Sequence, residues 1–580
     1  MTERNYIWRL ILVVMLITAA WFGLATRLAF LHLSPNDELR QRVRQIRRVE
    51  QEILVGRGRI LDRHGNILAL DMAVKNVCAD PKTIVEDGHV QFIGKQLARL
   101  LQLDPAMIVT RLSRPDRRFE YIKKFVQVDT IRQIQRMQMK GVFFEDASAR
   151  YYPHGSMMCH ALGFSNMEGI GSAGVEQKMN VYLKGRPGLR VSEMDGRRRE
   201  IYSRRSLEIA PQEGADVYLT LDQNIQYMVE KALDSAMLTH QAKGCWAIVE
   251  RVRTGEILAM ACRPAYDLNE YRQSASQNML NRSIGYVYEP GSTFKVAVIA
   301  GALNEGTVFP DEVFDCENGC WYFQGRPLRD YHPYGRLSVA DVLRKSSNIG
   351  AAKVAMTLPP ARLEQYLRDF GIGRTTGVDL PGEEAGILHN RSKWTSLSVS
   401  RMAMGHEVGV TSLQMLNVMC AIANNGFLLR PTIVQRVVDA HGRTIKESTP
   451  EVISKPIGEK TARLMQRLLT RVTQEGGTGT RARVDGYLVA GKTGSAQKPI
   501  PGGYSDSANM ASFVGFLPAD NPEFAMIVVV DEPQPLHTGG VVAAPVFQEI
   551  AAQIVRYLDI PPTGAESVRA FETGASIEEL

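Results

Sequence analysis

Residues 286–303 read YVYEPGSTFKVAVIAGAL. The Pro290-Gly291 break stops whatever precedes it, and from Thr293 onward apolar residues recur at helical spacing. Ser292 therefore falls at the start of a helix, with Lys295 one turn further on the same face. A serine hydroxyl is a weak nucleophile until a base takes its proton, and a lysine becomes that base only when burial or nearby cations depress its pKa. The helix N-terminus also favours negative charge developing beside Ser292. The same residues equally describe a capping serine followed by an ordinary lysine on an amphipathic helix. Other parts of the chain must decide between the two.

Two segments bear on it. VLRKSSNIGAAKVAM (342–356) puts Ser346 and Asn348 at a turn into a helix, and LVAGKTGSAQKP (488–499) puts Lys492, Thr493, Gly494 and Ser495 at the end of an apolar strand. Ser-x-Asn alone carries little, since Ser34-Pro35-Asn36 matches it too. Lys-Thr-Gly is sharper. Their order, Ser-x-x-Lys, then Ser-x-Asn, then Lys-Thr-Gly, each at an element boundary, is the set found in penicillin-binding proteins and class A β-lactamases.

The rest of the chain sets the context. At 580 residues it exceeds a single core, so two or three domains are expected. Leu10 to Thr26 carries no charge and the apolar character resumes after Arg27, long enough to span a bilayer. Arg4 and Arg9 against Glu3 favour a cytoplasmic N-terminus and export of everything downstream. A cleaved signal peptide is the alternative, but no Ala-x-Ala site follows. The formal charge of +7 is uneven: Leu33 to Gln212 holds 31 Lys or Arg against 21 Asp or Glu, and Glu213 to the end 35 against 40. A basic surplus near the membrane suits an anionic membrane or polymer, or simply solvated faces, and a nucleic-acid role is excluded for an exported chain. Five cysteines are scattered among mostly apolar neighbours. Cys316 and Cys320 flank a Glu-Asn-Gly turn and are candidates for a disulfide, with two free thiols the alternative.

Along the chain, Asn36 to Glu52 has helical spacing. ILVGRGRILDRHGNILAL (53–70) reads as a hairpin, ARYYPHGSMMCHALGF (149–164) contains a tight turn, and GIGSAGVEQKMNVYLKGRPG (169–188) mixes glycine turns with a helix. From Pro211 a short strand and a helix capped by Asp222 open a second domain. WAIVERVRTGEILAMACRP (246–264) then reads as a hairpin and FAMIVVVDEP (524–533) as a buried strand. The last residues, polar and acidic, read as a flexible tail.

Taken together, the chain resembles the class B, monofunctional penicillin-binding proteins, and within them the division-specific type (FtsI, or penicillin-binding protein 3). The first domain shares that family's RGRILDRHG (57–65), RYYPHG (150–155), GSAGVE (171–176) and DGR (195–197) clusters. The resemblance implies an α+β multidomain chain: a cytoplasmic tail (1–9), a transmembrane anchor (10–33), an elongated mixed α/β pedestal (34–212), a transpeptidase domain with an antiparallel sheet flanked by helices (213–558) and a tail (559–580). It implies a peptidoglycan D,D-transpeptidase in the cytoplasmic membrane with its bulk periplasmic, acting on stem peptides and a lipid-linked precursor and acylated by β-lactams. No cofactor and no metal are implied.

By the same resemblance Ser292 attacks the penultimate D-alanyl carbonyl, Lys295 is its base, Ser346 relays a proton to the leaving amine and Asn348 holds the donor backbone. Lys492, Thr493 and Ser495 bind the terminal carboxylate, Gly494 lets the substrate strand lie close, and the backbone N–H groups of Ser292 and Ser495 form the oxyanion hole. The middle motif is Ser-Ser-Asn rather than Ser-Asp-Asn and no deacylating glutamate can be placed, so a β-lactam adduct should hydrolyse slowly. The pedestal residues Arg57, Gly58, Asp62, Arg150, Gly155, Gly171, Gly174 and Glu176 have no catalytic pattern and are assigned to contacts with partners, a polytopic SEDS-type (FtsW-like) glycosyltransferase and other division proteins. For Arg57, Arg150 and Glu176 a fold-stabilising salt-bridge role is equally open. So are an elongation-specific role and a noncatalytic β-lactam sensor or division scaffold.

Overall fold

The computed structural model describes residues 3–33, 42, 47–53, 55–194, 200–202, 205–564, 568 and 571. The chain divides into two compact units, 1–55 with 186–212, and 56–185 with 213–580. In the first, an apolar helix runs Glu3–Leu33, and its Tyr6–Leu33 portion is long and apolar enough to cross a membrane. The same unit holds a small antiparallel sheet, with Arg48–Ile53 paired to Gly188–Met194 and the latter also to Glu200–Ile201 and Leu207–Ile209. Arg48–Ile53 is thus a strand, not part of the helix expected over Asn36–Glu52. Pairing in register with Gly188–Met194 overrides the local spacing. The remainder of that expected helix lies outside the described residues apart from Arg42 and Arg47, as do DGR and most of the tail.

The second unit contains two large sheets. In one, Ile60–Leu61 pairs antiparallel with the start of the long strand Ile67–Ala79, closing the hairpin read from sequence, and parallel with Asp216–Leu219. Ile67–Ala79 also pairs with Glu120–Val126 and Val142–Tyr151, and Asp216–Leu219 with Val434–Val438. This sheet runs through the sequence boundary at 212/213, so the chain on either side of it shares a hydrogen-bonded ladder. Residues 559–564, assigned to the tail, are docked: Ile560 is buried, its carbonyl accepts from Tyr487 Oη at 2.6 Å, and Thr563 N donates to Gly486 O.

The other sheet is antiparallel, in the order Ile257–Arg263, Gly244–Arg251, Phe524–Asp531, Gly503–Leu517, Ala490–Ile500. Side chains alternate across a strand. Cys245, Ala247 and Val249 pack with the helices Gln223–His240 and Gly539–Tyr557, while Trp246 and Ile248 face the core holding Lys295–Glu305 and Ser412–Ala423. Ile527 and Val529 likewise separate from Val528 and Val530. Both faces are covered, which is why FAMIVVVD reads as an unbroken apolar run. Asp222 caps Gln223–His240 as expected, accepting from Asn224 N and Ile225 N.

The pedestal clusters meet inside this unit rather than on its surface. Glu176, wholly buried, receives Arg57 Nε on one oxygen and Arg150 Nε on the other, each at 2.6 Å. Arg57 also donates to Asn180 Oδ1 (2.7 Å) and Gly169 O (3.1 Å), and Arg150 to Asp71 Oδ1 (3.0 Å). Asp62, also buried, ties the DRHG turn by accepting from His64 N and Asn66 N at 2.8 Å. A Cβ on Gly58 or Gly171 would fall 1.9 Å from Ala215 O or Glu176 O, and Gly155 and Gly174 hold φ of +57° and +55°. Arg57, Arg150 and Glu176 thus take the salt-bridge role that the sequence leaves open, and Gly58, Asp62, Gly155, Gly171 and Gly174 hold turns and close approaches of the backbone. Replacing Glu176 with Ala leaves two buried guanidiniums without their carboxylate and should cost about 3–5 kcal/mol, read as a lowered denaturation midpoint. An unchanged midpoint would return the residue to a contact role.

Candidate active site

Ser292 sits in a 3₁₀ turn, Gly291–Phe294, that leads into the helix Lys295–Glu305. The turn is wedged in place. Thr293 Oγ1 donates to Pro290 O at 2.9 Å, Phe294 is fully buried, and Gly291 takes φ +58°. A Cβ on Gly405 would lie 2.2 Å from Gly291 O, and one on Gly494 would lie 2.3 Å from Ser512 Oγ and 2.9 Å from Thr293 Cγ2. Gly494 thus lets the strand Ala490–Ile500 lie against the turn carrying Ser292. Lys492–Ser495 also lie within that strand, not at its end, because it pairs with Gly503–Leu517 from Ala490 through Ile500.

Strand alternation divides the motif. Thr493 and Ser495 line the cavity that holds Ser292, while Lys492 and Gly494 face the other side. Thr493 Oγ1 meets Thr478 Oγ1 at 2.8 Å, and Ser495 Oγ accepts from Gly539 N at 3.0 Å, at the start of the helix Gly539–Tyr557.

Ser346 ends the helix Val339–Lys345 in a left-handed conformation, φ +61°. Such a residue is uncommon outside glycine and asparagine and costs on the order of 1–3 kcal/mol. Ser347 then caps the helix Asn348–Met356, accepting from Gly350 N at 2.9 Å. Asp330, which the motifs did not reveal, holds this junction. Its carboxylate accepts from Ser347 Oγ (2.6 Å), Ile349 N (3.1 Å) and Asn348 N, at the end of the helix that favours an anion.

Both lysines are fully buried and converge on Ser346. Lys295 Nζ donates to Ser346 O at 2.6 Å and Asn348 Oδ1 at 2.7 Å, with Ser346 Oγ at 3.3 Å. Lys492 Nζ donates to Ser346 Oγ at 2.8 Å and Thr493 O at 3.1 Å. Burial drives the Lys295 pKa down to about 7, opposed by the charge of Asp330. Lys492 is pushed well below the ordinary lysine range by burial and then by Lys295. Among the described residues the Ser292 hydroxyl has no hydrogen-bond partner; it is half-buried and lines a cavity of about 970 Å³ with Ser346, Asn348, Thr493 and Ser495. The structure therefore gathers all eight residues of the three motifs, with Lys295 bonded to the Ser-Ser-Asn junction.

Cys316 and Cys320 are free thiols, one of the two states the sequence leaves open. Cys316 turns inward against Leu328, Ile349, Ala352 and Met404, with Ser347 Oγ 3.4 Å from its sulfur, whereas Cys320 opens an exposed strand. In the absence of reductant Cys320 should alkylate quickly and Cys316 slowly. A pair unreactive until reduced would restore the bridge.

With this geometry in view, the comparisons with known proteins are specific. Residues 245–552 match the penicillin binding protein transpeptidase domain and residues 52–219 the penicillin-binding protein dimerisation domain. The chain is 32% identical over 567 residues to the peptidoglycan D,D-transpeptidase FtsI of Escherichia coli K12, covering 97% of this chain and 94% of that protein. It is also 32% identical to the probable peptidoglycan D,D-transpeptidase PenA of Neisseria gonorrhoeae, over 90% and 88% of the two chains. Among solved structures, penicillin-binding protein 3 of Mycobacterium tuberculosis, complexed with aztreonam, superposes with a TM-score of 0.70 at 26% identity, covering 89% of this chain and 98% of that one. The chain belongs to the class B penicillin-binding proteins, which join a dimerisation domain to a serine transpeptidase domain.

Proposed function

We infer that this chain is a peptidoglycan D,D-transpeptidase of the division type, in which Ser292 forms an acyl-enzyme with a stem peptide and a slowly hydrolysed adduct with β-lactams. The observation that carries the reading is the state of Lys295. A neutral amine has two N–H donors and one lone pair. Ser346 O and Asn348 Oδ1 take the two donors, which leaves the lone pair for the proton of Ser292 one turn away. With Lys295 as base, Ser292 Oγ attacks the penultimate carbonyl and the tetrahedral oxyanion rests on the backbone N–H groups of Ser292 and Ser495. Ser346, touching both amines, returns the proton to the departing D-alanine.

The second Nδ2 hydrogen of Asn348 remains for the donor backbone, since Arg329 O takes the first. A carboxylate arriving beside Thr493 and Ser495 would also bring Lys492 back towards its charged form. Within the proposal, 10–33 anchors the chain with its N-terminus inside, 34–212 is the pedestal and 213–558 carries catalysis, in keeping with the two family matches. A polytopic SEDS-type (FtsW-like) glycosyltransferase is the partner proposed for the anchor, whose apolar side chains are exposed along its length. Depleting the protein in its own cells tests the division role. Filaments that elongate without septa are expected; rounded cells would mean an elongation enzyme.

A further inference from the structure

The open side of the Ser292 cavity carries a second pair of groups that the first half-reaction does not use. His406 lines that cavity. Its position is fixed by its neighbour, because Gly405 is packed onto the backbone of Gly291, the residue before Ser292. His406 Nδ1 lies 2.9 Å from Glu289 Oε2 and 3.1 Å from Tyr504 Oη. Tyr504 donates to the other oxygen, Glu289 Oε1, at 3.3 Å, and Glu407 N donates to the same atom at 3.1 Å. Burial and the charge of Glu289 push the Tyr504 hydroxyl up to about 12, so it stays a donor to Glu289. Nδ1 must then carry the proton between Glu289 and the tyrosine oxygen. Nε2 is left with its lone pair and, among the described residues, has no partner.

Resting on the transpeptidase reading above, we propose that His406 is the base for the second half of the reaction, taking the proton from the acceptor amine, and that Glu289 positions it. In this step the amine nitrogen bonds to the acyl carbon, the bond from that carbon to Ser292 Oγ breaks, and the proton shed by nitrogen passes through His406 Nε2 to restore the Ser292 hydroxyl. A neighbouring cavity of about 540 Å³ is lined by Glu289, Glu407 and Gln497, and Gln497 lines the Ser292 cavity as well. Glu289 and Glu407 share that lining with Lys498 and His389. The acceptor amine reaches His406 from this neighbouring cavity, past Glu289.

The test uses the full-length protein in detergent with a D-alanyl thioester stem-peptide donor and lysine amide as acceptor. Donor acylation and acceptor-dependent product are measured separately, together with thermal stability. For His406→Gln the ratio of transfer to acylation should fall about 10²-fold, in kcat with little change in acceptor KM. Glu289→Gln should lower the same ratio by a smaller factor, since it disturbs only the tautomer. Transfer and acylation falling together with a lower melting point, or a ratio unchanged in both variants, would overturn the proposal. If the unaltered protein were not acylated by the donor, the transpeptidase reading would fail first and this inference with it.

Discussion

Ser292→Ala should abolish both the penicillin adduct and transpeptidation while leaving the fold intact. Ser292 is half-buried on a turn whose rigidity comes from its neighbours Gly291, Thr293 and Phe294, and its own hydroxyl holds nothing in place. Removing one oxygen therefore deletes the nucleophile without opening the core. Three other motif hydroxyls of the cavity are committed elsewhere: Ser346 Oγ to Lys492 and Lys295, Ser495 Oγ to Gly539 N, Thr493 Oγ1 to Thr478. None of the three sits on the turn that leads into the helix Lys295–Glu305, as Ser292 does, so no residual acylation is expected. Mass-spectrometric mapping after incubation with penicillin checks this, and an adduct on another serine would refute it.

Lys295→Ala should slow acylation about 10³-fold or more, within the range for loss of a positioned base. The unaltered enzyme supplies a second readout. A base must be neutral, and Lys295 has its pKa lowered to about 7 by burial. The acylation rate should therefore rise with pH through about 7 and level off above it, because below that value the ammonium has no lone pair to offer. Were Lys295 an ordinary exposed lysine, the rise would continue towards pH 10. The alanine variant should lose the inflection near 7. Its penicillin acylation rate measured across pH 5–9 decides, and an identical profile in both proteins would remove Lys295 as the base.

The catalytic core was legible because each motif places its residues by local rules. A Pro-Gly break followed by a helix sets Ser292 and Lys295 on one face, and strand alternation sets Thr493 beside Ser495. What escaped depends on distant pairings. Asp330 reaches Ser347 and Asn348 across the strand Arg336–Ser338 and the helix Val339–Lys345, and no spacing rule connects RDYHPYG to KSSN. His406 meets Glu289 from 117 residues away, and Arg57 meets Glu176 from 119. The pedestal clusters stand out in the sequence, which leaves a partner contact and a fold-stabilising salt bridge equally open for Arg57, Arg150 and Glu176. Only the fold reveals that their charges neutralise one another in the interior. That a side chain at position 494 would strike Ser512 and Thr293 is likewise visible only in the fold.

The central claim is that Ser292 passes a stem peptide from its own ester to an amine. The most direct measurement is turnover of a lipid-linked or thioester stem-peptide donor by the full-length protein in the presence of an acceptor amine. The account predicts release of the leaving group, a transient ester on Ser292 and a crosslinked product whose formation depends on the acceptor. Stable acylation by penicillin with no turnover of either donor would contradict it and leave a β-lactam sensor or a division scaffold in its place.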